Sequence, residues 1–578
     1  MTLDTNQISF TINFSAGTSA NSVQEIIESQ FDRRAKNRFQ PKGSKLKAIC
    51  FIDDLNMPRK DTFGSQPPIE LIRQWIDYGY WFDRSKVVKN YICNLQILAA
   101  MGKPGGGRAE ISNRMLSKFH VINYTIPSEG NMKRIFENLA SAKFQQFYEE
   151  IKQLCEPLAV ATIALFNTLA ENFLPTPAKS HYVFNMRDIS KVFQGMYLAE
   201  KNFYESKEQI IKLWGHEILR VFHDRLITVE DQNKLKSILN EQLEQHFQMN
   251  YKEHCMTAET SDAVFVDFLY DEEMQVYEEV TDFNKLRTHM MNKLELYNGQ
   301  PKVQKMDIVL FKDAIIHISK IYRVLNLKRG HVLLVGVGGS GRHSLTRLSA
   351  YLAKMNCDQL EIRRDFQLKD FRAKLKDLYE LSAYKGKLQL KTVFIFSDND
   401  VVQESFLEDI QNTLNSGIVP NLYAADELTR VREEIAKAYK SAGNTNESPD
   451  AVHDFFFNRV KDNMHLSICM SPVGEAFRNY CRQYPALINN TTIDWFMAWP
   501  EEALIEVANK FLGNIELPNE KRQGLANLCG YAHATTFKAA DKMQKELRRI
   551  FYVTPTNFIE LLKGFDKILA LKRKEVGT

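Results

Sequence analysis

The stretch HVLLVGVGGSGRHSL, His331 to Leu345, decides the fold of this chain. Its apolar start predicts a buried strand, its glycines predict a tight loop, and the residues that follow predict the beginning of a helix. A glycine-rich loop between a strand and a helix directs backbone N–H groups toward phosphate. The stretch therefore predicts a phosphate-binding loop in an α/β fold.

The loop follows the pattern GxxxxGK[ST] with two departures. Arg342 replaces the usual lysine and keeps the positive charge that phosphate binding needs. His343 replaces the Ser or Thr that usually holds magnesium, and imidazole is a poor ligand for this hard cation, although Ser344 follows. The predicted nucleotide-binding residues are Gly336, Val337, Gly338, Gly339, Ser340, Gly341, Arg342, His343 and Ser344. The alternative is a packed turn whose glycines serve only the backbone.

A second apolar strand is predicted at TVFIFSDND, residues 392–400. It ends at Asp398, and a carboxylate beside a phosphate loop holds the metal ion of a bound nucleotide. The next position often carries a glutamate that activates water, but here it is Asn399, whose amide cannot accept a proton from water. The sequence thus predicts a site that binds nucleotide and hydrolyses it poorly.

An earlier strand, within AICFIDDLNMP, also ends in two acids, Asp53 and Asp54. Only 47 residues precede this strand, and they contain no phosphate loop. We interpret the pair as the acidic strand end of a second module whose phosphate loop lies upstream of this chain. The alternative interpretation is an acidic surface turn.

Length and composition limit the possible protein classes. A chain of 578 residues predicts about four compact lobes. The net charge of +4 does not favour nucleic-acid binding, and we expect no membrane span and no signal peptide. The eight cysteines form no CxxC pair, which predicts reduced thiols and no zinc site. Helical patterns at 128–170, 204–247 and 267–296 alternate with the strand regions, which predicts α/β lobes interleaved with helical lobes.

Several longer stretches resemble dynein heavy chains. GVGGSGRHSLTRL, FSDNDVVQESFLEDIQNTLNSGIVPNLYAADE and MSPVGEAFRNYCRQYPALINNTTIDWFMAWPEEAL resemble the fourth AAA+ module of that family. FTINFSAGTSAN, FIDDLNMPRKDTFGSQPPIELIRQWIDYGYWFDR and HYVFNMRDISKVFQGM are similar to the third. FIDDLNMP and GVGGSGR are closer to the axonemal than to the cytoplasmic type. The resemblance implies tandem AAA+ P-loop NTPase modules, each with a parallel-sheet α/β lobe and a helical lobe, and the start of an antiparallel coiled-coil stalk.

The resemblance also implies five segments. The α/β lobe of the third module, without its beginning, is expected at 1–127 and its helical lobe with a linker at 128–300. The α/β lobe of the fourth module is expected at 301–490 and its helical lobe at 491–562. The start of the stalk helix is expected at 563–578.

Individual roles carry over by position within the matching motifs. Asp53 and Asp398 match metal-holding residues, Asp54 matches a catalytic acid, and Asn399 replaces the corresponding glutamate. The arginines with implied roles are Arg114, as a finger toward the preceding module, Arg187, as the sensor of the helical lobe, and Arg478 and Arg482, as candidate fingers toward the third-module site. Tyr480 replaces an arginine that is frequent in the family, so the choice between the last two stays open.

The implied function is that of a segment of an axonemal dynein motor ring. Such a motor moves toward microtubule minus ends and powers ciliary and flagellar beating. The implied cofactors are ATP or ADP and Mg²⁺. The implied partners are the remaining ring modules and linker, microtubules reached through the stalk tip, dynein intermediate and light chains, and other axonemal proteins. The implied location is the cytoskeleton of the axoneme. A purely structural scaffold without bound nucleotide is the alternative.

Overall fold

The computed structural model describes residues 4, 6–43, 45–84, 86–256, 262–269, 275–301, 303–386, 390–444, 448–513, 515 and 518–577. The outermost residues of the first and last predicted segments, 1–3 and 578, lie outside these ranges. Parallel sheets and helical regions alternate along the chain, which confirms the predicted α/β fold class. We call the parts the first α/β lobe (6–127), the first helical lobe (128–256), the second α/β lobe (303–495) and the second helical lobe (500–577).

The first α/β lobe is built on a three-stranded parallel sheet. Its elements are β1 (Gln7–Asn13), α1 (Ala20–Glu28), β2 (Phe31–Ala35), β3 (Arg38–Pro41), β4 (Lys47–Asp53), α2 (Pro67–Tyr78), β5 (Tyr80–Asp83), β6 (Val88–Ile92), β7 (Leu95–Ala99) and α3 (Asn113–Leu116). The parallel sheet has the order β1-β4-β7, and a second sheet has the order β2-β3-β6-β5. Along β4, Ala48, Cys50 and Ile52 are buried under α1 and α2, whereas Phe51 on the opposite face is 37% exposed. The sequence predicted a buried strand here, and the structure buries one face of it.

The first helical lobe follows without a break. It contains α4 (Glu129–Phe144), α5 (Glu149–Lys152), α6 (Cys155–Asn172), α7 (Met186–Met196), α8 (Lys207–Ile218), α9 (Val229–Phe247) and α10 (Tyr251–His254), and a π-helical turn at Leu219–His223 continues α8. The stretch Glu149–Asn172 is long and apolar enough to cross a membrane by length and composition. Half of its most apolar window is buried, and Leu158, Leu165 and Leu169 lie in the lobe's core. Its packing is that of a core helix.

The residues that precede the predicted boundary at residue 300 pack against both neighbouring lobes, since Phe265 and Tyr277 belong to the core of the first helical lobe. They form β8 (Phe265–Val266), β9 (Glu278–Glu279) and α11 (Phe283–Asn298). Leu286, Met290 and Leu294 of α11 share a hydrophobic core with the second α/β lobe and the second helical lobe. The predicted boundary at residue 300 follows the linker composition, whereas packing groups α11 with the residues that come after it.

The second α/β lobe contains a five-stranded sheet with the order β11-β12-β13-β10-β14, in which every pair is parallel. Its elements are α12 (Lys312–Asn326), β10 (Val332–Val335), α13 (Arg342–Leu352), β11 (Asn356–Gln359), α14 (Leu368–Glu380), β12 (Thr392–Ser397), α15 (Glu404–Asn415), α16 (Ala425–Ser441), α17 (Pro449–Asn463), β13 (Met464–Met470), α18 (Ala476–Gln483), α19 (Ala486–Asn489) and β14 (Thr492–Trp495). Every side chain of β10, β12 and β13 is buried. Strands buried on both faces read as continuous apolar runs, which is why the sequence revealed them. Their carboxyl ends meet at one edge of the sheet.

The second helical lobe closes over that edge. It consists of α20 (Glu501–Leu512), α21 (Asn519–Leu547) and α22 (Pro555–Gly577). Phe558 and Leu562 of α22 are buried in the core, and Phe565 and Leu569 pack against it. Farther along, Ile568, Leu571 and Val576 are more than 60% exposed. The helix therefore begins inside the lobe and continues outward as an apolar-striped surface helix, and its extension into a stalk stays a prediction.

All eight cysteines are free, as the sequence predicted. Six of them are buried, and burial raises the pKa of Cys50 and of Cys469 to about 12. A thiol with so high a pKa is unreactive.

Candidate functional site

The phosphate loop lies at the carboxyl end of β10, in the middle of the five-stranded sheet. Gly339 and Gly341 have φ angles of +80° and +86°, a region that favours glycine. Gly341 caps α13, so the helix begins with Arg342 and its first N–H groups point out of the fold toward the loop. The predicted strand, loop and helix are all present in this order.

A cavity of about 480 Å³ opens in front of the loop. Its lining includes Gly338–Leu345 together with Asp398 and Asn399. It also includes apolar and aromatic side chains, namely Ile308, Val309, Phe311, Phe496, Met497, Trp499, Val507 and Phe511. A cavity that combines phosphate-binding groups with apolar and aromatic side chains suits both the phosphates and the base of a nucleotide.

Ser340 carries a hydroxyl that has no hydrogen-bond partner among the described residues. The residue is 6% exposed and lies in the lining of the cavity. A buried hydroxyl without a partner is costly, because it has lost its bond to water. A phosphate oxygen in the loop would supply the missing partner.

Arg342 and His343 occupy the first turn of α13. The Arg342 guanidinium donates to the backbone carbonyl of Met470 at 2.5 Å, at the end of β13. Burial lowers the pKa of His343, and the positive charges of Arg342 and Arg347 lower it further. The imidazole is therefore neutral near pH 7. Ser344 is half-buried and lines the same cavity, so its hydroxyl oxygen is available there to a metal ion.

Asp398 and Asn399 follow β12 and face the cavity together. The Asp398 carboxylate accepts hydrogen bonds from the backbone N–H groups of Asn399, at 3.1 Å, and Ser471, at 2.9 Å. Each of its oxygens has further lone pairs for a metal ion or its waters. The Asn399 side chain is exposed and offers an amide where a carboxylate would be needed to activate water.

The second helical lobe touches the phosphate loop directly. A Cβ atom placed on Gly339 would lie 2.1 Å from the Thr556 hydroxyl and 2.6 Å from its backbone nitrogen. Thr556 is in the first turn of α22. The loop and the beginning of this helix are therefore in close contact.

The acidic end of β4 in the first α/β lobe has a different environment. Asp53 accepts a hydrogen bond from the backbone N–H of Asp54 at 3.0 Å, and burial, with the negative charge of Asp54, raises the pKa of Asp53. Asp54 has a φ of +55° and forms an ion pair with Arg108 at 3.1 Å. Two carboxylates and a guanidinium thus meet at this strand end.

A second cavity, of about 460 Å³, lies between this strand end, the first helical lobe and the second α/β lobe. Asp53 and Arg187 line it from one side, and Arg187 donates to the Asn490 side-chain oxygen at 3.0 Å. From the other side it is lined by Arg329 and Lys461. The acidic strand end and the predicted sensor arginine therefore share one cavity.

The other predicted arginines lie apart from this cavity. Arg114 is exposed on α3, and the described part of the chain gives its guanidinium no ion pair. Arg478 faces Glu475 at 3.9 Å, and Arg482 donates to the Asn479 side chain at 2.6 Å. The backbone carbonyl of Arg482 packs on Gly107 of the first α/β lobe. The roles of these three arginines stay predictions.

Sequence reasoning missed several lining residues. Ile308, Val309 and Phe311 of the first cavity lie in the mostly apolar stretch Met306–Phe311, whose position before the phosphate loop was an available signal. A second available signal was the glycine-rich loop Gly102–Gly107, which Arg108 follows directly. No sequence pattern would have identified the remaining residues, Arg329, Lys461 and Thr556.

Comparisons with known proteins agree with this arrangement. Residues 1–127 match a family model described as a P-loop containing dynein motor region, and residues 306–568 match a P-loop containing dynein motor region D4. An AAA+ lid domain model matches residues 158–255 in the first helical lobe. Together these models cover both α/β lobes and both helical lobes.

Curated relatives are similar over nearly the whole chain. Dynein axonemal heavy chain 2 of Mus musculus is 45% identical over 568 residues, which is 98% of this chain and 12% of that protein. Dynein-1-beta heavy chain, flagellar inner arm I1 complex, of Chlamydomonas reinhardtii is 44% identical over 98% of this chain and 12% of its own length. Dynein axonemal heavy chain 6 of Homo sapiens is 40% identical over 98% of this chain and 14% of its own length. The chain thus spans about an eighth of the length of these relatives.

Proposed function

Because the chain belongs to the family of axonemal dynein heavy chains, we propose that its second α/β lobe binds ATP or ADP and hydrolyses it poorly, as a regulatory site of the AAA+ motor ring. The observation that supports this most is the cavity of about 480 Å³, whose lining combines the phosphate loop with apolar and aromatic side chains. In this proposal the two lobe pairs are the third and fourth modules of the ring.

Different residues of the cavity contact the phosphates, the base and the metal ion of the nucleotide. The N–H groups of the loop, the Ser340 hydroxyl and the Arg342 guanidinium bind the phosphates. The apolar side chains of the lining would exclude water from the base. Asp398 and Ser344 fit a magnesium ion that keeps several waters and bridges to phosphate, and such an ion neutralises phosphate charge. His343, being neutral, adds neither a positive charge nor an oxygen ligand.

Hydrolysis is slow in this proposal for two reasons. Asn399 has no lone pair basic enough to take a proton from the attacking water. In the first helical lobe, Arg187 is the second residue of α7, and in the second helical lobe the second residue of α22 is Thr556. A threonine cannot stabilise the charge that develops on a transferred phosphoryl group as an arginine does.

The contact between Gly339 and Thr556 provides a route for regulation. Nucleotide that rearranges the loop also displaces the first turn of α22, the helix that resembles the start of the stalk. We further propose that this motion reaches microtubules through the stalk tip, within a minus-end-directed motor that powers ciliary and flagellar beating. The partners would be the other ring modules and linker, intermediate and light chains, and other axonemal proteins. The axonemal relatives indicate a location in the ciliary or flagellar axoneme.

A scaffold without nucleotide is the second candidate. It is favoured by the hydrogen bond from Arg342 to the Met470 carbonyl, which occupies part of the guanidinium that would otherwise bind phosphate. In that case both lobe pairs would only hold the geometry of the ring.

Equilibrium binding of a fluorescent ADP analogue to the 578-residue chain separates the candidates. A charge-assisted hydrogen bond contributes about 1.5–3 kcal/mol, so we expect Arg342→Ala to weaken binding by about 10- to 100-fold. The matched control is Arg347→Ala on the same helix, whose guanidinium bonds Gln359 instead. Equal affinity in the wild type and Arg342→Ala would contradict the phosphate-loop assignment, and no binding by any of the three would favour the scaffold.

A further inference from the structure

The second sheet of the first α/β lobe contributes no residue to the lining of either cavity described above. We call it the appended sheet. It has the order β2-β3-β6-β5, and two antiparallel pairs meet in it through the parallel pair β3–β6. At the corresponding places in the second α/β lobe, before β12 and between β12 and β13, the described residues form helices and no strands. The fold of such a lobe therefore does not require a sheet here.

The inner face of the appended sheet is fixed to the helices of the lobe. The Trp81 indole N–H donates to the Glu28 carboxylate of α1 at 2.7 Å, and the Trp75 indole N–H of α2 donates to the Ile92 carbonyl at 3.1 Å. Trp81 and Ile92 share the core of the lobe with Phe31 of β2. The sheet therefore presents the side chains of its outer face at defined positions.

An aromatic cluster occupies that outer face. The pairing of β5 with β6 places Tyr80 opposite Tyr91, and Phe82 follows Tyr80 on the same face. The ring centroid of Tyr80 lies 5.4 Å from that of Tyr91, 5.6 Å from that of Phe82 and 5.9 Å from that of Tyr78 at the end of α2. Tyr78 is 65% exposed, Phe82 40% and Tyr91 38%. A contiguous cluster of exposed rings is typical of an interaction surface.

Positive charge surrounds the aromatic cluster. Residues 31–47 include seven Lys or Arg and one acidic residue. Arg38 of β3 is the direct neighbour of Tyr91 across the sheet, and Lys89 Nζ lies 4.5 Å from the centroid of the Tyr80 ring. Further exposed basic residues lie in the same strands and their turns, namely Arg33, Arg34, Lys36, Lys42, Arg84 and Lys86.

The contacts of these cations leave the surface strongly positive. Arg34 donates to the backbone carbonyl of Gly43 at 2.5 Å, and a carbonyl carries no net charge to balance it. Arg84 lies 3.8 Å from Glu25, and an exposed ion pair of this kind contributes little. Two acidic residues lie within the four strands, Asp32 and Asp83. A surface of one sign on a chain whose net charge is only +4 favours a partner of the opposite charge.

We propose that the outer face of the appended sheet binds an extended acidic peptide segment of a partner protein, in which apolar residues alternate with carboxylates. The carboxylates would pair with Arg38, Lys89 and the cations around them, through charge-assisted hydrogen bonds. The apolar side chains of the peptide would pack on the exposed rings, whose tyrosine hydroxyls can also donate to carboxylates. This inference is independent of nucleotide binding at the second α/β lobe.

The ring geometry favours an acidic peptide over a single-stranded nucleic acid. Successive bases stack on free aromatic faces. Here Lys89 covers one face of Tyr80, and the Phe82 ring meets the Tyr80 ring at an interplanar angle of 88°. The rings therefore do not form a row of parallel, free faces.

The charge contribution can be tested by fluorescence anisotropy on the 578-residue chain, with a labelled peptide of four Glu-Glu-Leu repeats. We expect the wild type to bind it, and more weakly as NaCl rises from about 50 mM to about 300 mM, because salt screens exposed charges. The double variant Arg38→Glu with Lys89→Glu should bind at least about tenfold more weakly. Lys521→Glu with Lys538→Glu, two exposed positions on α21, makes the same change in net charge and should bind like the wild type. Equal losses in the two double variants, or none in the first, would overturn the proposal.

The aromatic contribution has its own variant and a second peptide of twelve glutamates. Phe82→Ser removes an exposed ring without changing the charge. It should weaken binding of the leucine-containing peptide by about three- to tenfold and leave the affinity for the glutamate peptide unchanged. Both affinities are measured on one variant, so a general loss of stability affects them alike. Equal affinity of the wild type for the two peptides would overturn the role of the aromatic cluster.

Two further probes test other classes of partner, a twelve-nucleotide uridine RNA and phosphatidylserine vesicles. We expect both to bind the wild type more weakly than the leucine-containing peptide and to be insensitive to Phe82→Ser. RNA or vesicles that bind more tightly than the peptide, with a loss in Arg38→Glu with Lys89→Glu, would overturn the peptide in favour of that partner. Failure of both peptides to bind the wild type would overturn the proposal outright.

Discussion

Two acidic strand ends in this molecule occupy equivalent places in their sheets and carry different chemistry. At the end of β4, Asp53 is followed by a second carboxylate, and two arginines, Arg108 and Arg187, are close enough to influence its charge. At the end of β12, Asp398 is followed by the amide of Asn399, and the helix that approaches brings a threonine. The end of β4 has two carboxylates and nearby guanidinium groups, which are the charged groups that phosphoryl transfer uses. The end of β12 has one carboxylate, with an amide and a threonine hydroxyl near it.

The difference shows that two similar strand ends can carry different chemistry through a few side chains. The strand, its carboxylate and the covering helical lobe are common to both places. What changes is the group beside the carboxylate and the group on the covering helix. The comparison can be tested at each of these positions.

The largest expected effect concerns acid stability, because buried histidines lie only in one of the two α/β lobes. Burial lowers the pKa of His331 to about 3 and that of His465 to about 4, whereas an imidazole in the unfolded chain titrates near 6.5. Between these values the unfolded chain binds protons that the folded chain does not, so the free energy of unfolding falls as pH falls. From pH 7 to pH 5 each residue should cost about 2 kcal/mol.

Hydrogen exchange at pH 7 and pH 5, corrected for intrinsic rates, measures this loss lobe by lobe. The first α/β lobe contains only the exposed His120 and should change little. The control is His331→Asn, whose amide oxygen can replace Nδ1 as acceptor for the Leu466 N–H. An unchanged pH dependence in this variant would contradict the assignment.

The second effect concerns the phosphate loop itself. Gly339→Ala would place a methyl group against the backbone of Thr556 at a positive φ, so the loop or α22 must move. We expect nucleotide binding to weaken by about 100-fold, a loss near 3 kcal/mol. Gly338→Ala is the matched control, because its added methyl group meets nothing within 4 Å. Similar affinities in the two variants would mean that the contact with α22 does not constrain the loop.

The third effect is a gain. Asn399→Glu restores a group able to accept a proton from water, and we expect ATP turnover to rise by about tenfold, which is below the full range for a general base. The gain stays modest because Thr556 supplies no positive charge. Asn399→Gln, which has the same length and no basic group, should leave the phosphate-release rate unchanged. A rate that rises equally in both variants would show that side-chain length, and not proton transfer, limits turnover.

The smallest effect is expected at the acidic end of β4. Asp54 and Arg108 are 28% and 29% exposed, so solvent weakens their ion pair. A double-mutant cycle with Asp54→Ala and Arg108→Ala should give a coupling below about 1 kcal/mol in urea unfolding. The buried pair Asp188–Arg225, with both side chains 2% exposed, provides a strong-coupling reference within the same chain. A coupling of equal size in both pairs would mean that the Asp54 pair has a structural role.

Much of the fold could be predicted from the sequence, because β10 and β12 are buried on both faces and read as continuous apolar runs. In β4 the alternation of buried and exposed side chains was harder to recognise, because the apolar Phe51 lies on the face of the sheet that is incompletely covered. The phosphate loop and both acidic ends follow local patterns, so they could be located. Thr556 could not, because its contact with Gly339 depends on which helix closes over the loop.

The helix α12 has a consequence for how such chains can be divided. One side of it lines the cavity of the second α/β lobe, and on the other side Arg323 forms an ion pair with Glu217 of the preceding helical lobe, with both side chains almost completely buried. A cut between the first helical lobe and α12 would break this buried ion pair and expose both charges to water. We therefore expect fragments of this chain to be more stable when the first helical lobe stays joined to the second α/β lobe. The unit that packing defines in this chain crosses the boundary between the two predicted modules.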